Sequence, residues 1–148
     1  MSEYSVLKKI ETITKVQYSA ILVAGGLPPI TSDNINIATI DPLVQPPISV
    51  WIQPERTDFG EGSISEDDAA TAARVFIVMR GFADATLWEY VMKAAAYFRA
   101  MITRNDTLEG EALNATVTAF EYFDSVEGLP DARAVEVFVQ VSHEEPKG

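Results

Sequence analysis

The residues able to do acid–base or metal chemistry are few and scattered along this chain. The only histidine is His143, and there is no cysteine, which excludes disulfides, thiolate zinc sites and thiol nucleophiles. The acidic run at 66–68 lacks the spacing of a calcium-binding loop, and Gly25-Gly26 leads into Leu-Pro-Pro rather than a phosphate loop. We therefore predict no catalytic residue, no metal site, no cofactor and no enzyme activity, and we interpret residues 143–148, including His143, as a solvated polar tail.

Residues 54–72 are the least core-like part of the chain. They carry six acidic residues, two glycines and, as sizeable apolar side chains, only Phe59 and Ile64. A connection of this length is either a solvated loop or an acidic arm that binds a partner. Phe59 and Ile64 are the reason to keep the second interpretation.

A second candidate surface lies on the strand predicted over 73–81. One of its faces is wholly apolar and should lie under a helix, whereas the other combines large hydrophobic residues with Arg74 and Arg80. The favoured interpretation is that these arginines pair with carboxylates at the sheet margin. The alternative is a subunit interface, where arginine and aromatic residues are both enriched. The candidate interface residues are Arg56, Phe59, Ile64, Arg74, Phe76 and Arg80.

A strand–helix–strand–strand unit must position these residues. The strand at 73–81 is followed by a helix predicted over 86–103, and alternating runs over 113–123 and 134–141 return the chain to the sheet. Before this unit, apolar residues at helical spacing predict a helix over 4–24. Short strands are expected over 34–40, at a sheet edge, and over 48–53, where Pro54 should end the strand.

These elements predict one domain, 1–148, of the α+β (α/β) class. Its mixed, mostly antiparallel sheet of four to five strands has the long helix packed on one face, together with the N-terminal helix. There are 22 acidic residues against 11 basic ones, giving a net charge of -11, so specific nucleic-acid binding is not expected. No signal peptide or membrane segment is recognisable, which predicts a soluble, cytoplasmic protein.

In the order and residue composition of these segments, the chain resembles the tail terminator (tail completion) proteins of tailed bacteriophages and related contractile particles. The resemblance rests on the amphipathic first helix, the proline-rich approach at 45–54, the acidic glycine-containing segment, the strand at 73–81, the alanine-rich helix, and the closing strands at 115–123 and 134–141. It covers nearly the whole chain.

The resemblance implies a non-enzymatic virion protein, found in the tail and neck and, during assembly, in the host cytoplasm. It would form a homo-oligomeric ring, commonly a hexamer, that caps the tail tube, stops its growth and meets a neck or head–tail connector protein. DNA would pass through the acidic lumen without specific binding. Two alternatives remain open. One is another neck, tube or baseplate component of such a particle, and the other is a small ligand-binding or enzymatic α/β domain with a site built from scattered residues.

Overall fold

The computed structural model describes residues 2–40, 47–60 and 66–146. Its elements are α1 (Glu3–Ala24), a short 3-10 turn (Ser32–Asn34), β1 (Ile35–Ile37), β2 (Ile48–Gly60), β3 (Glu66–Met79), α2 (Asp84–Arg104), β4 (Asn114–Phe123) and β5 (Arg133–Pro146). The five strands form one sheet in the order β1-β2-β3-β5-β4. β1 runs parallel to β2, and the other pairs are antiparallel. This confirms the predicted α+β class, the mixed sheet, both helices and the edge position of β1.

The two helices pack together on one face of the sheet. Their contact includes the buried rings of Tyr18 and Phe98, which meet edge to face with centroids 5.5 Å apart. The Tyr18 hydroxyl donates a 2.6 Å hydrogen bond to the carbonyl of Ala94. Because Tyr18 is fully buried, burial raises the pKa of its hydroxyl well above the usual value, and the side chain stays neutral.

The predicted alternation places the apolar rows of β3 and β5 under these helices. Val75, Ile77 and Met79 of β3 lie in the main core, as do Val137 and Val139 of β5. The opposite face of the sheet is covered only in part, by the connection between β4 and β5. That connection encloses a small second cluster of Trp51, Val78, Leu129, Ala132 and Ala134. One row of side chains is buried along β3 from Ala69 to Met79 and along β5 from Val135 to His143, as period-two alternation predicts.

Three strands run further than the sequence predicted. Pro54 does not end β2, which continues through a register shift between Pro54 and Arg56 to Gly60. β3 begins at Glu66, so the prediction of a loop over 54–72 is wrong for 54–60 and 66–72, and its middle lies outside the described residues. β5 reaches Pro146, so the polar-tail prediction is also wrong as far as that residue. β1 pairs with residues 50–52, so among the residues that the structure describes the outer side of β2 has no strand neighbour at Pro54, a position that tolerates proline.

β4 carries an irregularity that changes which residues face the helices. The register between β4 and β5 shifts between Val117 and Ala119. Before the shift, Ala115 is buried. After it, Ala119 is exposed and Phe120 packs against the main core. An extra residue in one strand exchanges the two faces, so the alternation predicted over 113–123 does not hold along the whole strand.

Candidate subunit interface

The long strands build a three-stranded sheet extension, which we define as residues 54–60 of β2, 66–72 of β3 and 140–146 of β5. A chain of hydrogen bonds crosses it. The hydroxyl oxygens of Thr57 and Thr71 lie 3.0 Å apart, and Thr71 Oγ1 lies 2.8 Å from His143 Nε2. Thr71 and His143 are buried, so the hydrogen bonds satisfy polar groups that water does not reach. Hydrogen bonds thus link all three strands of the extension. His143 has a structural role, and the prediction that it is solvated is wrong.

No motif in the sequence indicates this role of His143. The signal available was the continuation of period-two alternation from Val139 and Val141 to His143, and from Ala73 back to Thr71. Polar residues on that face ended the apolar pattern, although the strands themselves continue.

Phe59 lies on the face of the extension that is continuous with the helical side of the sheet. It pairs in register with Ala69, which pairs in turn with His143. Phe59 is 58% exposed. With Ala69 and Leu113 it borders an open cavity of about 460 Å³, whose rim includes Asp58 and Asp68. An exposed aromatic ring rimmed by carboxylates is available to a partner.

Arg56 lies on the same part of β2 and is the most exposed of the predicted arginines. Its guanidinium makes a two-pronged ion pair with Asp58, with Nε 3.0 Å from Oδ2 and Nη2 2.9 Å from Oδ1. The hydrogen bond to Asp58 raises the pKa of Arg56, so its charge is permanent. The predicted residue Ile64 lies outside the described residues.

The structure separates the other three candidates from this extension. Arg74 lies in the middle of β3 on the opposite face of the sheet and forms an ion pair with the buried carboxylate of Glu136. The hydrogen bond that Arg74 donates to Glu136 raises the pKa of Arg74. The Arg74 guanidinium also lies over the ring of Phe76, 5.4 Å from its centroid.

Arg80 joins the end of β3 to the connection that covers this face. Its Nη2 lies 2.8 Å from Asp131 Oδ1, and its side chain is 23% exposed. Phe76 is half-buried against the second cluster, near Phe123. Both arginines pair with carboxylates, as the favoured sequence interpretation expected, but the expected position at the sheet margin is wrong for Arg74, which pairs in the middle of β3. Of the six candidates, therefore, Arg56 and Phe59 lie in the extension, whereas Arg74, Phe76 and Arg80 have partners within the chain.

Two searches of the described residues bear on other functions. No group of three or more histidine, cysteine, aspartate or glutamate side chains within residues 2–40, 47–60 and 66–146 is arranged to hold a metal ion. Neither of the two described helices combines the length and the apolar character needed to cross a membrane.

Comparisons with known proteins find likeness among solved structures. No protein-family model and no curated protein matches the chain. A chain from the virion of a native gene transfer agent (GTA) particle overlays on it with a TM-score of 0.35 and 6% sequence identity, covering 65% of this chain and 69% of that chain. An overlay at this level assigns neither a fold family nor a role.

Proposed function

We propose that this chain is a non-enzymatic structural subunit of a phage-like particle, and specifically a tail terminator. Its copies form a closed ring, with a hexamer as the expected form, that caps the tail tube and stops its polymerisation. The same ring offers its other side to a neck or head–tail connector protein. The protein would accordingly lie in the virion, and in the host cytoplasm during assembly.

The observation that carries the proposal is the sheet extension. Three strands continue together beyond the length predicted for a small domain and expose Phe59 among carboxylates. The buried hydrogen-bonded chain through Thr71 keeps them aligned. Ordering the residues of this projection costs conformational entropy, and an isolated domain has no need of the projection. A neighbouring subunit that covers the extension would explain why it is present.

Two unpaired strand edges support assembly of a directional kind. β4 ends the sheet on one side, and on the other side β2 lacks a strand neighbour beyond Ile52 among the described residues. Exposed edges invite pairing with another chain. Joining two different surfaces of identical subunits makes a head-to-tail contact, which closes into a ring when the rotation per subunit permits.

The acidic charge fits a ring through which DNA passes. A net charge of -11 repels the phosphate backbone. Copies arranged in a ring bring that charge to the lumen, so the genome passes without specific binding. A salt-sensitive shift of DNA in a gel at near-neutral pH would contradict this part of the proposal.

The experiment that tests the function is electron microscopy of particles assembled with and without this chain. Loss of a tail terminator leaves tubes that exceed their normal length, and supplying the chain restores the defined length. Tubes of normal length, or an absence of tubes, in its absence would instead indicate a neck or baseplate component. Sedimentation of the purified protein complements this test. A protein that stays monomeric both alone and with tail tubes would reject the structural proposal.

A further inference from the structure

The positive charges of this chain are almost all used internally. The chain has 11 lysine and arginine residues against 22 acidic ones, and Lys147 lies outside the described residues. Of the other ten, eight lie within 4.0 Å of a carboxylate oxygen, namely Lys8, Lys9, Lys15, Arg56, Arg74, Arg80, Lys93 and Arg133. Only Arg99 and Arg104 have no carboxylate partner within residues 2–40, 47–60 and 66–146.

These two arginines lie on the same groove. It is an open depression of about 610 Å³ between the last turns of α2 and the edge strand β4, lined by Ala96, Arg99, Ala100, Thr103, Arg104 and Phe120. The helix dipole favours a cation at the end of α2, which accounts for the position of Arg104. It does not account for the apolar floor, where two alanines leave Phe120 uncovered.

The groove adjoins a strand edge that is free. β4 is the last strand of the sheet, and the register shift after Val117 turns Phe120 toward α2. A smaller depression of about 140 Å³ continues from the groove along residues 117–120 and also includes Arg99. An incoming segment would therefore meet two guanidinium groups, an aromatic ring and unpaired backbone groups together.

We infer that the groove between α2 and β4 binds the acidic sheet extension of a second copy of this chain. This inference rests on the proposed self-assembly. The three strand segments of the extension contain seven acidic residues against a single lysine or arginine, Arg56, so their charge complements that of Arg99 and Arg104. Phe59 supplies an exposed aromatic ring for a floor that carries Phe120.

The sheet geometry allows this contact to repeat from copy to copy. The β4 residues that line the groove, 117–120, pair with residues 137–139 of β5, which pair in turn with residues 73–75 of β3, next to the base of the extension. The groove therefore lies at the β4 edge of the sheet, whereas Phe59 lies on β2, across β5 and β3 from that edge. A head-to-tail contact between them leaves a free groove and a free extension on every pair, as ring growth requires.

The test is an exchange of charge between the two surfaces. The groove variant carries Arg99→Glu and Arg104→Glu, and the extension variant carries Asp58→Lys and Asp68→Lys. All four side chains are exposed, so both variants should keep the wild-type circular dichroism spectrum and Tm. Sedimentation velocity should show that each variant alone associates about tenfold or more weakly than wild type.

An equal mixture of the two variants should recover association. In the mixture the acidic extension of one variant meets the unmodified groove of the other, and the lysine-bearing extension meets the glutamate-bearing groove, so copies alternate. A chain carrying all four substitutions should also recover. The matched control for the groove variant is Lys93→Glu with Val16→Glu and Met92→Glu, which lowers the net charge by the same amount at exposed sites elsewhere and should leave association unchanged.

The outcomes separate this inference from the proposed function. If the folded groove variant forms rings as well as wild type does, or if the mixture does not recover, docking in the groove is rejected while self-assembly stands. If the groove variant forms rings but no longer binds tail tubes, the occupant is an acidic partner protein, and the inference is again rejected. A wild-type protein that never self-associates rejects both.

Cross-linking gives an independent readout, because the chain contains no cysteine. A mixture of Gly60→Cys and Ala100→Cys variants, which keep Phe59, should form a cross-linked dimer with a short bismaleimide; a Cβ at Gly60 makes only ordinary van der Waals contact. Gly60→Cys alone should form little, since the contact joins two different surfaces. Equal cross-linking in both samples would indicate a contact between two extensions and would overturn the inference.

Discussion

The ion pair between Arg74 and Glu136 can be used to test whether Arg74 stabilises the fold or takes part in assembly. The Glu136 side chain is 1% exposed, whereas the Arg74 side chain is 38% exposed. Replacing Arg74 with methionine keeps much of the aliphatic stem over Phe76 but leaves a buried carboxylate without its cation. Exposed pairs contribute about 0–1 kcal/mol, and breaking a fully buried pair costs about 3–5 kcal/mol.

Because Arg74 reaches solvent and Glu136 does not, the cost should lie between these limits. We expect Arg74→Met to lower the free energy of unfolding by about 2 kcal/mol, which corresponds to a fall of roughly 4–8 °C in Tm for a domain of this size. Glu136→Leu should cost less, since the freed guanidinium can turn to water. The double variant removes both charges and should unfold within about 1 kcal/mol of wild type.

The measurement is urea unfolding of the four proteins, followed by fluorescence and analysed as a double-mutant cycle. A cost below about 0.5 kcal/mol for Arg74→Met would show that Glu136 is solvated once Arg74 is gone, and would refute the reasoning from burial. Sedimentation of the double variant completes the test. If it is as stable as wild type but no longer assembles, Arg74 belongs to a subunit interface, the interpretation that the sequence left open.

Three further changes probe the core, the edge strand and the extension. Val137→Asp should abolish the cooperative thermal transition, because Val137 is fully buried and an unpaired buried charge costs several kcal/mol. Burial raises the pKa of Glu11, but hydrogen bonds from Lys8 and from the Ile37 N–H outweigh it, so the net pKa lies below the usual 4.5. A lowered folded-state pKa contributes stability above pH 4.5 that is lost as the pH falls through the folded-state pKa. Glu11→Gln should therefore be less stable than wild type at pH 7, and the two free energies of unfolding should converge once the pH lies below the folded-state pKa of Glu11. Phe59→Ser should keep the wild-type Tm and weaken assembly in sedimentation, and normal rings would remove the extension from the interface.

The sequence was sufficient to predict a helix or strand wherever one face of that element is fully buried. The alternating valines of β5 and the apolar spacing of α1 each have a single arrangement that hides them from water, and both predictions are confirmed. Prediction failed where the type of side chain did not indicate whether the backbone continues as a strand. Pro54 looked like a strand end, yet it occupies an edge position where no ladder partner is required. Thr71 and His143 looked like solvated residues, yet each buries its polar group by bonding to the other.

The candidate site was only partly predictable, for a related reason. Phe59 was identified because an aromatic residue in an acidic segment is unusual in sequence alone. Arg99 and Arg104 were not, since arginines near the end of a helix have an ordinary explanation in the helix dipole. Arg99 and Arg104 differ from the other described cations in having no carboxylate partner among the described residues. This difference can be found only from coordinates, because it requires the partner of every other described cation.

Self-association of a chain with a net charge of -11 requires that attraction be local and repulsion be screened. At physiological ionic strength the Debye length is about 8 Å, so charges spread over the surfaces of two neighbouring copies interact weakly. Groups in a partly enclosed groove a few ångströms apart are screened much less. The two unpaired arginines can therefore favour one orientation of approach, although the net charge opposes association as a whole. The charge excess then serves specificity, because a copy that approaches with any surface other than its groove presents mostly carboxylates to the acidic extension.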